Sequence, residues 1–137
     1  MRYLLDTDTC IDIIRSKNDS VLRKVCSHEL EQLSVSTITV AELEYGAAKS
    51  SRPEQNYLAL TQFLTPMLVR DFDQKAAHCY GILRADLEKV GKRIGSLDML
   101  IAAQALADGL VLITNNYFEF GRVKGLRTEG WHVIEVE

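Results

Sequence analysis

Three short acidic motifs each place a carboxylate at the edge of an apolar segment. Asp6 follows a short apolar run, Glu42 lies early in a second apolar segment, and Asp98 directly precedes the apolar residues 99–103. A carboxylate at the mouth of a buried element is costly unless it binds a cation, caps a helix or pairs with a base. Carboxylate oxygens are the ligands that Mg²⁺ and Mn²⁺ prefer, and such ions activate water and neutralise phosphoryl oxygens. The motifs therefore predict a divalent-metal site.

A fourth polar motif follows the apolar run 110–113 and contains Thr114 and Asn116, with Glu119 three residues further on. We expect Asn116 and Glu119 to complete the metal shell or to orient the attacking water. Short polar side chains beside the acidic residues are expected to support the metal ligands through hydrogen bonds. These supporting residues are Thr7, Asp8 and Thr114.

Each of the three acidic residues also has a purely structural interpretation. The spacing of Thr39 and Glu42 matches a capping box, in which the Glu side chain bonds to the backbone amide of the first residue. Asp6 could cap the helix that follows it, and Asp98 could complement a helix dipole. One such carboxylate would be weak support for a metal site. Three of them, each joined to an apolar element, favour one.

The apolar pattern predicts the elements that would bring these residues together. Strands are predicted at residues 2–5, 33–36, 67–69, 110–113 and 132–136. Helices are predicted around 10–14 with Asp8 or Thr9 as the cap, from Ser20 to about 30, and over 39–48, 53–63, 74–90 and 97–106. Short apolar strands that alternate with helices indicate one α/β domain over residues 1–137 with a mostly parallel sheet. In such a sheet ligands gather at the carboxyl ends of the strands.

Composition sets the broad class of protein. The chain has 137 residues, of which 47% are hydrophobic and 26% charged, as expected of one globular domain. Its net charge of −3 argues against a protein that coats nucleic acid, but it is compatible with a nuclease whose site is acidic. Three widely spaced cysteines suit reduced thiols. Because no signal peptide or membrane-spanning stretch is recognisable, we expect a cytoplasmic protein.

The order of the motifs resembles the PIN-domain family. The matching residues are Leu4-Leu5-Asp6-Thr7, Ser36-x-x-Thr39-x-x-Glu42 with Tyr45-Gly46, Gly95-x-x-Asp98-x-x-Ile101-Ala102-Ala103, and Thr114-Asn115-Asn116-x-x-Glu119-Phe120. More narrowly, these motifs and the segment 127–131 resemble the VapC toxins of bacterial VapBC toxin–antitoxin pairs. The resemblance covers nearly the whole chain, and four motifs in the same order make it specific.

The resemblance implies a PIN-like α/β/α sandwich and an endoribonuclease that depends on Mg²⁺ or Mn²⁺. Carried over by position, Asp6, Glu42 and Asp98 are the metal-site carboxylates. The fourth family position, often Asp, falls on Asn116, with Glu119 nearby as a substitute. The family more often has Asn where this chain has Asp8.

The resemblance also implies partners and a substrate class. The expected substrate is RNA, and the similarity is closest to toxins that cut structured RNA at one site, such as the anticodon loop of initiator tRNA. A cognate antitoxin is expected to block the site, docking on the helix faces around residues 10–14 and 40–45. A homodimer and a toxin–antitoxin hetero-oligomer are the expected assemblies, and no membrane association is expected.

Basic residues gather just before the third acidic motif and again near the C-terminus. An acidic pocket repels an RNA backbone unless cations compensate, so the first group is predicted to contact phosphates. The first group is Arg84, Lys89, Lys92 and Arg93, and the second is Arg122, Lys124 and Arg127. A solvated surface is the alternative, because charge runs commonly mean no more than that.

Two other functions remain open from the residues. The sequence Asp6-Thr7-Asp8 after an apolar strand is similar to the opening of haloacid-dehalogenase-type phosphatases, in which the first Asp is a nucleophile and the second an acid. However, Cys10 stands where their motif has Thr or Val, and their downstream lysine is not evident. The other possibility is a non-catalytic RNA- or protein-binding module whose carboxylates only cap helices. Metal-dependent cleavage of RNA that EDTA abolishes would distinguish the nuclease from both.

Overall fold

A five-stranded sheet forms the centre of the structure, a computed structural model that describes residues 2–15 and 32–131. The strands are β1 (Tyr3–Leu5), β2 (Leu33–Ser36), β3 (Leu68–Arg70), β4 (Val111–Ile113) and β5 (Thr128–Glu129). Their order is β3-β2-β1-β4-β5, and each neighbouring pair is parallel. The first strand of the chain is therefore the central one, and the carboxyl ends of all five strands face the same edge.

Helices cover both faces of this sheet. They are α1 (Thr7–Arg15), α2 (Thr37–Lys49), α3 (Pro53–Leu64), α4 (Gln74–Lys89), α5 (Ser96–Asp108) and α6 (Tyr117–Phe120). Consecutive strand residues point to opposite faces, so Leu4 packs with α4 and α5 whereas Leu5 packs with α1, α2 and α3. Both leucines are fully buried, which explains why the strands are apolar throughout. The predicted α/β/α sandwich with a parallel sheet is confirmed.

Two predicted helix starts were wrong, and both errors concern caps. Helix α1 begins at Thr7, because the Asp6 carboxylate accepts a hydrogen bond from the Thr9 amide at 2.8 Å and so caps the helix itself. Neither Asp8 nor Thr9 is the cap. Helix α2 begins at Thr37, where the Ser36 hydroxyl accepts a hydrogen bond from the Ile38 amide at 3.0 Å. Thr39 therefore lies inside the helix, and the capping-box interpretation of Glu42 fails.

The other boundaries agree closely with the prediction where the structure describes them. Strand β3 lies one residue later than expected, and α5 ends at Gly109 in the left-handed conformation (φ 67°), as the Asp-Gly pair indicated. The helix predicted from Ser20 and the strand predicted at 132–136 lie outside the described residues. Among the described helices, none is long and apolar enough to cross a membrane.

Candidate active site

The candidate site lies at the carboxyl edge of the two central strands. Asp6 follows β1 and Thr114 follows β4, and the two strands pair at Leu5 and Ile113. The Asp6 amide donates to the Ile113 carbonyl at 3.0 Å, so the backbone fixes Asp6 beside the end of β4. The Thr114 hydroxyl lies close enough to the Asp6 carboxylate to lower its pKa. Residues that are far apart in the sequence therefore share one pocket, as the topology predicted.

Asp6 is almost completely buried in this pocket. Burial raises its pKa from the ordinary value, the hydrogen bonds from Thr114 and Thr9 partly oppose that rise, and the negative charge of Asp8 adds to it. Asp8 itself is exposed on the first turn of α1. Asp6 thus caps α1 with one carboxylate oxygen and still belongs to the acidic pocket, so the structural and functional interpretations of this residue are compatible.

Glu42 is held at the same edge by a hydrogen bond between helices. The Thr7 hydroxyl donates to Glu42 Oε1 at 2.7 Å, and Thr7 Oγ1 lies 3.2 Å from Thr39 Oγ1. Glu42 enters the pocket from α2 and Thr7 from the start of α1. Thr7 therefore fixes the direction of the Glu42 carboxylate from the neighbouring helix.

Asp98 and Glu119 form the remaining acidic pair. The Asn116 side-chain amide donates to Glu119 Oε2 at 3.1 Å, and the carboxyl groups of Asp98 and Glu119 are hydrogen-bonded to each other. Burial raises the pKa of Asp98 to about 7, helped by the hydrogen bond and charge of Glu119 and by the charges of Asp6 and Glu42. Without a cation, Asp98 is therefore only partly ionised near neutral pH.

The donor set suits a hard divalent cation. Asp6, Glu42, Asp98 and Glu119 converge, and within residues 2–15 and 32–131 no basic side chain forms an ion pair with any of them. Carboxylates that repel one another without a basic partner are favourable ligands for Mg²⁺ or Mn²⁺. In the described part of the chain no three acidic, His or Cys side chains already enclose an ion-sized position. Binding would therefore require some of these side chains to change position.

The predicted phosphate-binding residues do not behave as one group. Arg84 is engaged within α4, where its guanidinium donates to Glu88 at 3.0 Å and to the Tyr80 hydroxyl at 2.9 Å. Lys92 and Arg93 are exposed in the loop that leads into α5 and towards Asp98. The Arg93 carbonyl accepts a hydrogen bond from the guanidinium of Arg122, so the two basic groups of the sequence meet here.

Lys89 has different surroundings, because it lines a separate cavity at the end of α4. The volume of this cavity is about 470 Å³. Its other walls come from α4, from Leu106 of α5 and from the turn after α6. None of the four pocket carboxylates lines it.

A groove of about 520 Å³ opens beside the carboxylate pocket, between α1, α2 and α3. Thr7 and Glu42 form one end of it, so the groove reaches the candidate site. Its apolar walls include Ile11, Ile14, Leu43, Leu60 and Leu97. Ile11, Ile14 and Leu43 belong to the helix faces on which the sequence predicted an antitoxin, whereas Leu60 of α3 and Leu97 of α5 lie outside the predicted ranges. Cys10, which lies in the predicted docking range, is fully buried in the core instead.

Sequence reasoning missed two aromatic–cation pairs on the rim of this site. The ammonium of Lys49 lies 4.8 Å from the centre of the Tyr45 ring, and the guanidinium of Arg122 lies 4.7 Å from the centre of the Phe118 ring. In both pairs the cation follows the aromatic residue by four positions. For Tyr45 and Lys49 that spacing was an available signal, since residues four apart meet on a helix. For Phe118 and Arg122 it was not, because Arg122 lies in the turn after α6.

Comparison with known proteins decides the family. The PIN-domain family matches residues 3–126. Ribonuclease VapC2 of Haemophilus influenzae is 42% identical over 131 residues, which cover 96% of this chain and 98% of that protein. The chain belongs to the VapC branch of the PIN-domain family. Another VapC protein, the tRNA(fMet)-specific endonuclease VapC of Shigella flexneri, is 40% identical over 131 residues, again 96% of this chain and 98% of that protein.

Solved VapBC structures have the same fold. The DNA-bound VapBC of Salmonella typhimurium contains a chain that aligns with a TM-score of 0.93 at 38% identity, covering 96% of this chain and 99% of that one. VapBC2 of Rickettsia felis, bound to a DNA fragment from its promoter, aligns with a TM-score of 0.91 at 38% identity, covering 96% and 100%. Because the chain belongs to the VapC branch, the hypothesis of a haloacid-dehalogenase-type phosphatase with Asp6 and Asp8 in its site is no longer needed.

Proposed function

We propose that this VapC-family protein is a Mg²⁺- or Mn²⁺-dependent endoribonuclease and the toxin of a type II toxin–antitoxin pair. One observation carries the proposal: four carboxylates meet in a single pocket with no basic partner among the described residues. A purely structural role would not require this convergence, because only Asp6 is needed as a cap. Relatives named ribonuclease or endonuclease support the activity.

In this proposal Asp6, Glu42 and Asp98 hold the metal, and Glu119 with Asn116 completes the shell or orients water. When bound, such an ion lowers the pKa of a coordinated water and neutralises charge on the phosphodiester. The chain prepares the ligands: Thr9 and Thr114 fix Asp6, and Thr7 fixes Glu42. Asp98, whose pKa is raised to about 7, would lose its proton when a cation binds.

The proposed substrate is structured RNA, with the anticodon loop of initiator tRNA as the specific candidate. Support comes from the relatives of Shigella flexneri and Salmonella typhimurium named tRNA(fMet)-specific endonucleases, at 40% and 39% identity. Lys92 and Arg93 are proposed to contact phosphates on the approach to Asp98. Such contacts strengthen binding without selecting a base sequence.

The proposed regulator is a cognate antitoxin that occupies the groove between α1, α2 and α3. The groove is apolar along its walls and reaches Thr7 and Glu42, so a bound segment would cover the entrance to the pocket. The similar solved structures are VapBC complexes, which supports a protein partner of this kind. The homodimer, the hetero-oligomer with antitoxin and the cytoplasmic location expected from the sequence stay predictions.

The test is cleavage of purified initiator tRNA and total cellular RNA, with the new RNA ends sequenced. We expect cleavage with Mn²⁺ or Mg²⁺ and none with EDTA. Asp98→Asn should lower the rate by more than about 100-fold, because even residues that only support a metal ligand contribute about 10- to 100-fold. Circular dichroism should show that this variant is folded. Intact RNA with wild-type protein and metal would overturn the proposal, and full activity of Asp98→Asn would remove Asp98 from the site.

A further inference from the structure

The exposed ring of Phe118 lies next to the acidic pocket, and the proposed reaction has given it no role. Phe118 is 78% exposed, the largest exposed fraction among the large hydrophobic side chains of the described residues. It immediately precedes Glu119, whose carboxyl group is hydrogen-bonded to Asp98 and Asn116. The Cα atoms of Phe118 and Glu119 are about 3.8 Å apart, and adjacent helix residues point in different directions, so Phe118 lies beside the carboxylates rather than among them.

The surroundings hold Phe118 in place although its ring is exposed. Phe120 and Val123, on either side of the turn that ends α6, are almost completely buried in the core. The guanidinium of Arg122 covers the ring at 4.7 Å from its centre. The same guanidinium donates to the Arg93 carbonyl, which ties the pair to the loop before α5. An ordered aromatic ring therefore faces solvent, supported from one side by a cation.

The charge around Phe118 favours an anionic ligand. Arg93 and Lys92 lie in the loop to which Arg122 is bonded, and Lys124 follows two residues later. An exposed ring backed by a guanidinium and flanked by further cations has the chemistry of a single-strand nucleic-acid contact, in which bases stack and phosphates meet positive charge. An antitoxin segment is the less suitable occupant, because Phe118 does not line the apolar groove between α1, α2 and α3.

We propose that the Phe118 ring stacks on a nucleobase beside the cleaved phosphodiester and that Arg122 holds the ring in place for that contact. The inference rests on the proposed ribonuclease function and deepens it. Phe118 is a substrate-positioning residue in this account. It binds a base that flanks the cleaved bond, and the carboxylate pocket carries out the chemistry.

The test compares side chains that differ in aromaticity at this one position. Phe118→Leu keeps apolar bulk without a π face, and Phe118→Trp enlarges the ring. In cleavage of the RNA that the wild-type protein cuts, Phe118→Leu should raise KM by about five- to a hundredfold, the range of a lost base stack, with little change in kcat. Phe118→Trp should keep the wild-type KM. Leu58→Ala removes another exposed apolar side chain, on α3 and outside both cavities, and serves as the control.

A fluorescence measurement distinguishes loss of base stacking on residue 118 from a general loss of affinity for RNA. RNA with 2-aminopurine beside the cleavage site should lose fluorescence on binding the Asp98→Asn protein, because stacking on an aromatic ring quenches the base. Adding Phe118→Leu should remove the quenching even at RNA-saturating protein concentrations. Phe118→Trp in the same background should restore it.

The outcomes distinguish this inference from the function on which it rests. If the wild-type protein cuts no RNA with metal, the proposed function fails and the stacking contact fails with it. If the wild-type protein cuts RNA but Phe118→Leu keeps both KM and quenching, the stacking contact alone is overturned. A Phe118→Leu protein with normal KM but weakened antitoxin binding would also overturn it, by assigning the ring to a protein interface.

Discussion

Two aromatic–cation pairs flank the acidic pocket and have nearly the same local geometry in opposite surroundings. Tyr45 and Lys49 both lie on α2, 4.8 Å apart, whereas Phe118 lies on α6 and Arg122, at 4.7 Å, lies in the turn that follows it. Both rings are largely exposed, at 66% for Tyr45 and 78% for Phe118. The Tyr45 pair lines the groove between α1, α2 and α3. Phe118 lines neither that groove nor the cavity at the end of α4, although its partner Arg122 lines that cavity together with Lys89 and Lys124.

The comparison suggests the proposal that the shape and charge around such a pair, and not the pair itself, determine its ligand. An aromatic anchor in an apolar concavity suits a folded or folding protein segment, which buries area there. An aromatic ring among cations suits a stacked base with its phosphate. Tyr45 shares its groove with Glu42 and Phe118 precedes Glu119, so we propose that the antitoxin approaches the carboxylates beside Glu42 and RNA beside Glu119.

The first prediction tests the groove side and has the largest expected effect. Tyr45→Ala should raise the antitoxin concentration needed for half-inhibition of cleavage by about tenfold or more. The reason is that tyrosines which become buried when a partner binds are common hot spots. Inhibition of RNA cleavage by the co-encoded antitoxin measures this effect. The matched variant Phe118→Ala should be half-inhibited at the same antitoxin concentration as the wild-type protein. If Phe118→Ala weakened inhibition by the antitoxin and Tyr45→Ala did not, the antitoxin would bind on the Phe118 side and the proposed assignment would be wrong.

The second prediction tests the basic side. Changing Lys92 and Arg93 together to Ala should weaken RNA binding and reduce the slope of log K against log salt by up to about 1.4, at about 0.7 per phosphate contact on single strands. Binding is measured with the Asp98→Asn protein at several salt concentrations. Arg84→Ala is the control, because the Arg84 guanidinium is already engaged by Glu88 and Tyr80. An unchanged slope in the double variant would mean that the loop is only a solvated surface.

The sequence predicted the fold well because the relevant signals are local. Apolar strands and Gly or Pro boundaries gave four strands of the described sheet within about two residues and indicated parallel pairing. The error at α1 arose because Asp6, Asp8 and Thr9 are all suitable N-cap residues. Which of them caps the helix depends on the path of the backbone after β1, and the structure shows that it is Asp6. Strand β5, Thr128–Glu129, was missed since two polar residues show no alternating pattern.

The residues of the candidate site could be predicted from the sequence, but the hydrogen bonds between them could not. Ordered motifs identified the acidic residues, and the topology placed them at one edge. The Thr7–Glu42 bond and the raised pKa of Asp98 depend on how helices pack across the sheet edge, which no local pattern encodes. The roles of the chosen residues stay predictions until the variants are measured.

The last prediction concerns the pocket between the two sides and has the smallest effect. Asp98 titrates at 3.8 in the unfolded chain, and in the folded protein its pKa is raised to about 7. Between these values the unfolded chain binds fewer protons than the folded protein, so the free energy of unfolding of the metal-free protein should fall as pH rises. The burial-raised pKa of Asp6 acts in the same direction.

Thermal unfolding in EDTA between pH 5 and pH 8 measures this effect. At pH 8 the Asp98→Asn protein should melt roughly 3–5 °C above the wild type, the shift that about 1 kcal/mol produces in a domain of this size. Millimolar Mn²⁺ should raise the wild-type Tm and leave Asp98→Asn nearly unchanged, because a ligand stabilises only the state that binds it. Asp86→Asn, an exposed acidic residue on α4, should behave like the wild type in both respects. Equal stabilisation of Asp98→Asn by Mn²⁺ would show that Asp98 does not hold the metal.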